Sequence, residues 1–553
     1  MFIRLYFSKY NLYHQIYILG SYFMFELVEK KLFPIMDIEA QVYENKLFSC
    51  KHIHLKNNKN EKSFAVAFRT FPESSNGVAH ILEHLVLSGS KRYPVRDSFF
   101  KMMNRSLSSF MNAMTGPDYT IYPFSTVNNK DFKNLLDVYL DAVFFPNLNE
   151  LDFMQEGHRF ELMKDSKEKE QLKINGVVYN EMKGLMSSVN TLLFRGLIES
   201  LLPNTTYSNN PGGDPEHIPE LTYEELQKFH KVHYHPSNAY FFSFGKVNLT
   251  MLQREIERKV LQKFSPQSDK VTVRTQKPFD KPIYANKSYQ PTPDNFNNYR
   301  IALGWVLNSS LKTADRLDAS FLYRILMDNS SSPLQKVLET TNLGKAANAF
   351  IYPQIKYTLF IILIEGVKKG YEKKVEKLIL ETFKKIVKKG IPKKLIDTVF
   401  HQYEIGIRQI FENGANSIEA IFPFILKGEK PLELIDLESN LNKLKKRMQK
   451  SGYFKTLIEK YFLKNNHRVN FQLIPDKNFN KKKLEKEAYF LTSKLSSLIE
   501  SEKKEITEKT KALTKRQNIV DDENLLPCVT VKDIPKNRTF PKFFVSNVND
   551  VIR

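Results

Sequence analysis

From Phe25 onward, short strand-like runs alternate with amphipathic helical patterns, and the alternation goes through twice. Phe64-Ala-Val-Ala-Phe-Arg-Thr70 alternates apolar and polar residues over part of its length, as a half-buried strand does. A helix follows over residues 76–89, with Ser74-Ser75-Asn76-Gly77 as its cap and Gly89 as its stop. Further helices are predicted over 130–145, 177–186 and 223–232, before the strand Ala239-Tyr-Phe-Phe-Ser-Phe244. After a linker-like stretch rich in Pro, Lys, Asn and Asp at 264–296, the order repeats: strand at 300–306, helix at 314–327, strand at 357–364, amphipathic helix at 371–389. The pattern predicts an α+β fold of two tandem homologous sheet-plus-helices domains, 25–265 and 266–477, related by a degenerate duplication. A charged helical hairpin linker is expected at 478–520 and a tail at 521–553 with a short strand at Phe543-Phe-Val545.

Residues 1–24 carry Arg4, Lys9 and no acid, and an apolar stretch runs from Tyr17 into Phe25. They read either as a targeting segment or as an over-extended start ahead of Met24.

Composition narrows the function classes. Hydrophobic residues make up 42% and charged residues 26% of the chain, which excludes global disorder and fibrous classes. The net charge is +22, but the lysines are dispersed at helical spacing and read as solvated faces. No nucleic-acid or membrane partner is therefore expected, and no apolar run approaches the ~20 residues of a membrane span. Cys50 and Cys528 alone cannot build a disulfide framework or an all-cysteine zinc site. Any metal must be held mainly by His and carboxylate.

His80-Ile-Leu-Glu83-His84 is the motif that carries chemistry. Residues four apart share one face of a helix, so both imidazoles can turn toward one point, a natural half-site for Zn²⁺. Glu83 is then near a metal without binding it, where it can take a proton from water and pass it to a leaving amine. The order is H-x-x-E-H, the inverse of the usual zincin motif; the bland alternative is a helix whose histidines face solvent. A catalytic site needs at least one more protein ligand, and Gly176-Val-Val-Tyr-Asn-Glu181-Met-Lys-Gly184 offers Glu181, the only acid in that stretch. A solvent-facing Glu181 paired with Lys183 is the competing reading.

These segments together resemble the inverted-motif zinc metallopeptidases of the pitrilysin/insulinase type, family M16, and within them the presequence-protease branch. Ser88-Gly-Ser-Lys-Arg-Tyr-Pro94, Ser109-Phe-Met-Asn-Ala-Met-Thr-Gly-Pro-Asp118, Gln155-Glu-Gly-His-Arg159, Gly212-Gly-Asp-Pro215 and His233-Tyr-His-Pro-Ser-Asn238 continue the resemblance in order, and Lys427-Gly-Glu-Lys-Pro-Leu432 extends it more weakly. The resemblance implies a zinc-dependent endopeptidase degrading short unstructured peptides. It implies zinc ligands at His80, His84 and Glu181, a general base then acid at Glu83, and a substrate-pairing edge strand at Asn112-Ala113.

The resemblance is to the N-terminal half of that branch. The family's second half closes a chamber over the site, so the missing part is expected from a partner chain or a second copy of this one. The rival reading is a catalytically incomplete, non-enzymatic peptide-binding or assembly subunit. Residues 266–477 lack the motif and are expected to form a non-catalytic wall; the compartment is read as cytoplasmic or an organelle matrix.

Other candidates are weaker. His230-x-x-His233-x-His235 does not put three imidazoles on one face, and reads as a polar helix end. Glu156 and His158 read either as groups orienting the metal ligands or as packing residues.

Overall fold

Two sheets with the same strand pattern organise the chain. The computed structural model describes residues 25–164, 168–267, 272–293, 298–308 and 312–536. The 1–24 segment and the strand expected at 543–545 lie outside the described residues.

The first sheet begins with β1 (Phe25–Phe33), β2 (Ile38–Asn45), β3 (Lys51–Lys56), β4 (Lys62–Arg69), β5 (Ser108–Met111), β6 (Met114–Thr115) and β7 (Tyr119–Thr126). Strands β8 (Arg159–Lys164) and β9 (Glu170–Asn175) pair with each other, and β10 (Ala239–Gly245) returns to the first sheet. Its order is β1-β2-β3-β10-β4-β7-β5, with β6 also on β7. The second sheet holds β11 (Ile283–Tyr289), β12 (Asn298–Asn308), β13 (Ala346–Tyr352), β14 (Thr358–Lys368) and β15 (Arg468–Pro475), in the order β11-β15-β12-β14-β13.

That order retraces β3-β10-β4-β7-β5. In each sheet the first pair is parallel and the remaining three are antiparallel. The fold is α+β, and the internal duplication is visible in its topology. Strand β11 lies inside the stretch that the sequence presents as a linker. It is a largely exposed edge strand with a polar centre, Asn286-Lys287-Ser288, so it lacks the apolar periodicity that marks a strand.

Strand β4 also differs from expectation. It is buried on both faces rather than half-buried: Phe64, Val66 and Phe68 pack among the helices beside the motif, while Ala65 and Ala67 meet a second core. Its alternation is large against small, not core against solvent. The helix that fills the second face is Gly414–Ile425, from late in the chain, through Ile418, Ile421 and Phe422. The exchange is mutual. Helix Val189–Leu201 lies early in the chain yet packs Leu193, Leu197 and Leu201 against Ala302, Val469 and Phe471 of the second sheet. Each helix makes its closest approach at a glycine. A Cβ on Gly414 would overlap the Ser63 hydroxyl, and one on Gly196 the Phe471 ring.

Helices Phe479–Ser497 and Glu500–Gln517 form the expected hairpin. Arg516 fixes it to the motif side through both oxygens of Asp152, at 2.7 Å each. The chain then runs past Arg96 and Lys101, each 3.2 Å from Asp521, and buries Leu526 in the first core. Among the described residues no helix is long and apolar enough to cross a membrane.

Candidate metal centre and active site

Helix Val78–Val86 carries the motif. It is entered through Gly77 at φ 75°, with Gly212 and Gly213 backbone 3.1 Å from where a Cβ would stand. Both the left-handed conformation and the close approach call for glycine. The Asn76 side chain accepts the Val78 N–H at 3.2 Å.

One turn apart on this helix, the His80 and His84 rings have centroids 5.0 Å apart. His80 Nδ1 donates to the Gly212 carbonyl at 3.2 Å. His84 Nδ1 donates to Glu156 Oε2 at 3.0 Å. With both Nδ1 atoms engaged, both Nε2 atoms face one Glu181 oxygen, at 3.9 Å from His80 and 4.0 Å from His84. One ligand atom from each of His80, His84 and Glu181 lies within 4.8 Å of the others, the one such group among the described residues. Glu181 comes from helix Val177–Leu185, whose opposite face is anchored by buried Val178, Tyr179 and Met182. It does not pair with Lys183, which binds both oxygens of Glu487 on the hairpin at 2.7 and 2.9 Å.

Glu83 is 8% exposed, and Thr115 Oγ1 donates to its Oε2 at 2.5 Å. Burial pushes its carboxyl above the usual range, against the pull of the Thr115 bond and the two imidazoles. Burial draws His84 down, but its bond to Glu156 and the surrounding carboxylates outweigh this and raise it. Burial likewise pushes Glu156 up, and its bonds to His84 and Gln155 bring it below the usual value.

These groups line an open cavity of about 670 Å³. Asn112 and Ala113 sit on it, between β5 and β6 at the far edge of the sheet. The Asn112 N–H is spent on Pro123 O at 3.1 Å, and its side chain accepts the Ala113 N–H at 3.0 Å. Four acids, Glu83, Asp97, Glu156 and Glu181, line the cavity, and no Lys or Arg does.

Two groups escaped the sequence reading: Thr115, placed by the pairing of β6 with β7, and the Gly212 carbonyl that fixes His80. Glu156 stands beside the candidate ligands. His158 does not: it is buried and bonds Leu221 O at 2.9 Å. His230, His233 and His235 are separate structural groups, bonded to Val143 O, Arg69 O and the Ser237 N–H. They are largely buried rather than surface decoration, because the helix end packs into the first core.

Three family models match the chain in order: Insulinase (Peptidase family M16) at residues 69–188, Peptidase M16 inactive domain at 220–403, and the domain associated with the C subfamily of M16 peptidases at 473–551. The solved structure of a protease from Helicobacter pylori has the same fold, with a TM-score of 0.64 at 18% identity, over 82% of this chain and 99% of that one. The chain belongs to the M16 peptidase family, in its presequence-protease-like group. It is 35% identical over 517 residues to the mitochondrial presequence protease of Danio rerio, covering 92% of this chain and 50% of that protein. The mitochondrial presequence protease of Yarrowia lipolytica is 36% identical over 93% of this chain and 52% of its own length. Protein HypA of Clostridium perfringens is 35% identical over 90% and 52%. The chain spans about half the length of these relatives.

Proposed function

We propose that this chain forms the metal-bearing half of a zinc endopeptidase that degrades short, unstructured peptides. The observation that carries the reading is the convergence of His80, His84 and Glu181 donor atoms within 4.8 Å, with buried Glu83 on the same cavity. The donor set fits Zn²⁺: two imidazoles whose other nitrogens are held by a carbonyl and a carboxylate, plus one carboxylate oxygen. Zinc, when bound, supplies a Lewis acid that polarises a scissile carbonyl and acidifies water.

Glu83 does the proton work: it takes a proton from the attacking water and delivers it to the leaving amine. Its burial makes it a stronger base than an exposed carboxylate, and Thr115 fixes its orientation. An extended peptide adds along the β5–β6 edge at Asn112-Ala113, its main chain bonding to the open edge. Asn112 holds a substrate carbonyl or the attacking water. The acid-lined cavity suits basic peptides despite the chain's net charge of +22.

Donors for the tetrahedral oxyanion beyond the metal come, on this reading, from a second M16-like half. That half lies further along the polypeptide, on a partner chain or on a second copy. The half-length match to the relatives also supports a second reading, a peptide-binding or assembly subunit without turnover of its own. The names of the relatives support an organelle matrix as the compartment. Zinc content and cleavage of an unstructured peptide, measured for the purified chain and for Glu83→Gln, separate the two. Cleavage lost only in Glu83→Gln establishes the peptidase; bound zinc without cleavage in either favours the subunit.

A further inference from the structure

The segment Lys427-Gly-Glu-Lys-Pro-Leu432 has no task in the site described above. In the structure Lys427 closes helix Gly414–Ile425, the one that crosses to cover the first sheet, and its side chain is 6% exposed. Lys427 Nζ donates to Pro423 O at 2.6 Å. It stands 3.4 Å from Asp118 Oδ1, itself 3% exposed, and 5.3 Å from the centre of the Tyr119 ring.

Asp118 and Tyr119 end the turn between β6 and β7. The Gly116 N–H donates to Tyr119 O at 2.7 Å, and Asp118 O accepts the Thr70 N–H at 3.1 Å. The Tyr119 ring lies so close on Gly116 that no Cβ fits between them. At the start of the same turn, Thr115 donates to Glu83. One cation therefore grips both residues that close the turn whose first strand orients Glu83. Two residues further on, buried Glu429 is held by Arg316 and by Thr313 Oγ1 at 3.0 Å, so the segment is also tied to the helix Thr313–Met327.

We propose that Lys427 is a positioning residue: through Asp118 and Tyr119 it holds the 114–119 turn so that Thr115 meets Glu83, and the second sheet unit thereby sets the geometry of the base. The inference rests on the reading of Glu83 as that base. Stability alone is a weak reason for such a pair, because two buried charges lose much of their attraction to desolvation and a matched neutral pair often serves as well.

The experiment compares Lys427→Met, Asp118→Asn, both together, and Lys427→Arg as the charge-keeping control, all in the full chain. It reads amide hydrogen exchange over residues 114–121 together with kcat and KM on an unstructured peptide. The neutral double variant is expected to unfold near the native temperature, since it strands no charge. Its 114–121 amides should nevertheless exchange about tenfold faster, and kcat should fall about tenfold with KM little changed. Lys427→Arg should keep both near native. Native exchange and native kcat in the double variant would overturn the proposal. Exchange is read without turnover, so a wild-type chain that never cleaves peptide sinks the peptidase reading, while a loosened turn in the double variant still supports the grip of Lys427.

Discussion

His84 Nδ1 and Glu156 Oε2 stand 3.0 Å apart, while His84 Nε2 faces Glu181. The carboxylate fixes the ring's orientation and tautomer and raises its basicity as a ligand. Glu156→Gln keeps the shape but removes the charge. Zinc affinity should fall by about 10–100-fold, the usual cost of losing such an outer carboxylate. Chelator competition measures it; unchanged affinity would mean that Glu156 is only a packing residue.

Glu83→Gln should retain zinc, because Glu83 is not among the converging donors, and should lower kcat by about 10²–10⁴-fold. Metal analysis and single-turnover cleavage check the two halves of that expectation.

Thr115→Val preserves volume and deletes the hydroxyl that donates to Glu83. Burial raises the Glu83 pKa and the Thr115 bond lowers it, so loss of the bond raises it further. A base must be unprotonated to act, so the acid limb of kcat/KM should move to higher pH. A limb that stays put, or moves down, contradicts the assignment.

Much of the site was legible because its spacing is local. His80, Glu83 and His84 share one helix, and Glu181 is the lone acid of a short apolar helix. Asn112-Ala113 was marked by the resemblance alone; its place at the sheet edge follows from strand order. Thr115 could not be found, because it meets Glu83 only through the pairing of β6 with β7. The mutual exchange of helices Val189–Leu201 and Gly414–Ile425 was equally hidden. An amphipathic helix records that it has an apolar face, not which sheet receives it.

That exchange gives its own prediction. Gly196→Ala and Gly414→Ala each place a methyl group where the Phe471 ring or the Ser63 hydroxyl already stands. Each should destabilise the chain by about 1–3 kcal/mol, the range for overpacking. Denaturant unfolding measures it, and a neutral or stabilising change at both positions would mean that the helices do not seat this tightly.

Acid should unfold the protein through its buried histidines. His54, His230 and His233 are each held down to about 4 by burial, which disfavours the imidazolium. Each is neutral and bonded in the fold, to Ser243, Val143 O and Arg69 O. In the unfolded chain the same groups titrate near ~6.5. Between these values the unfolded state binds protons that the native state refuses. The stability is therefore complete above ~6.5 and drains as pH falls toward about 4, where the native imidazoles protonate too. Each histidine should account for on the order of 3 kcal/mol at the lower end. Denaturant midpoints taken from pH 7 down to 4.5 should fall steadily, with proton uptake on unfolding. His230→Gln should flatten the slope by about one proton's worth, and a slope unchanged in that variant would show that other groups govern the acid transition.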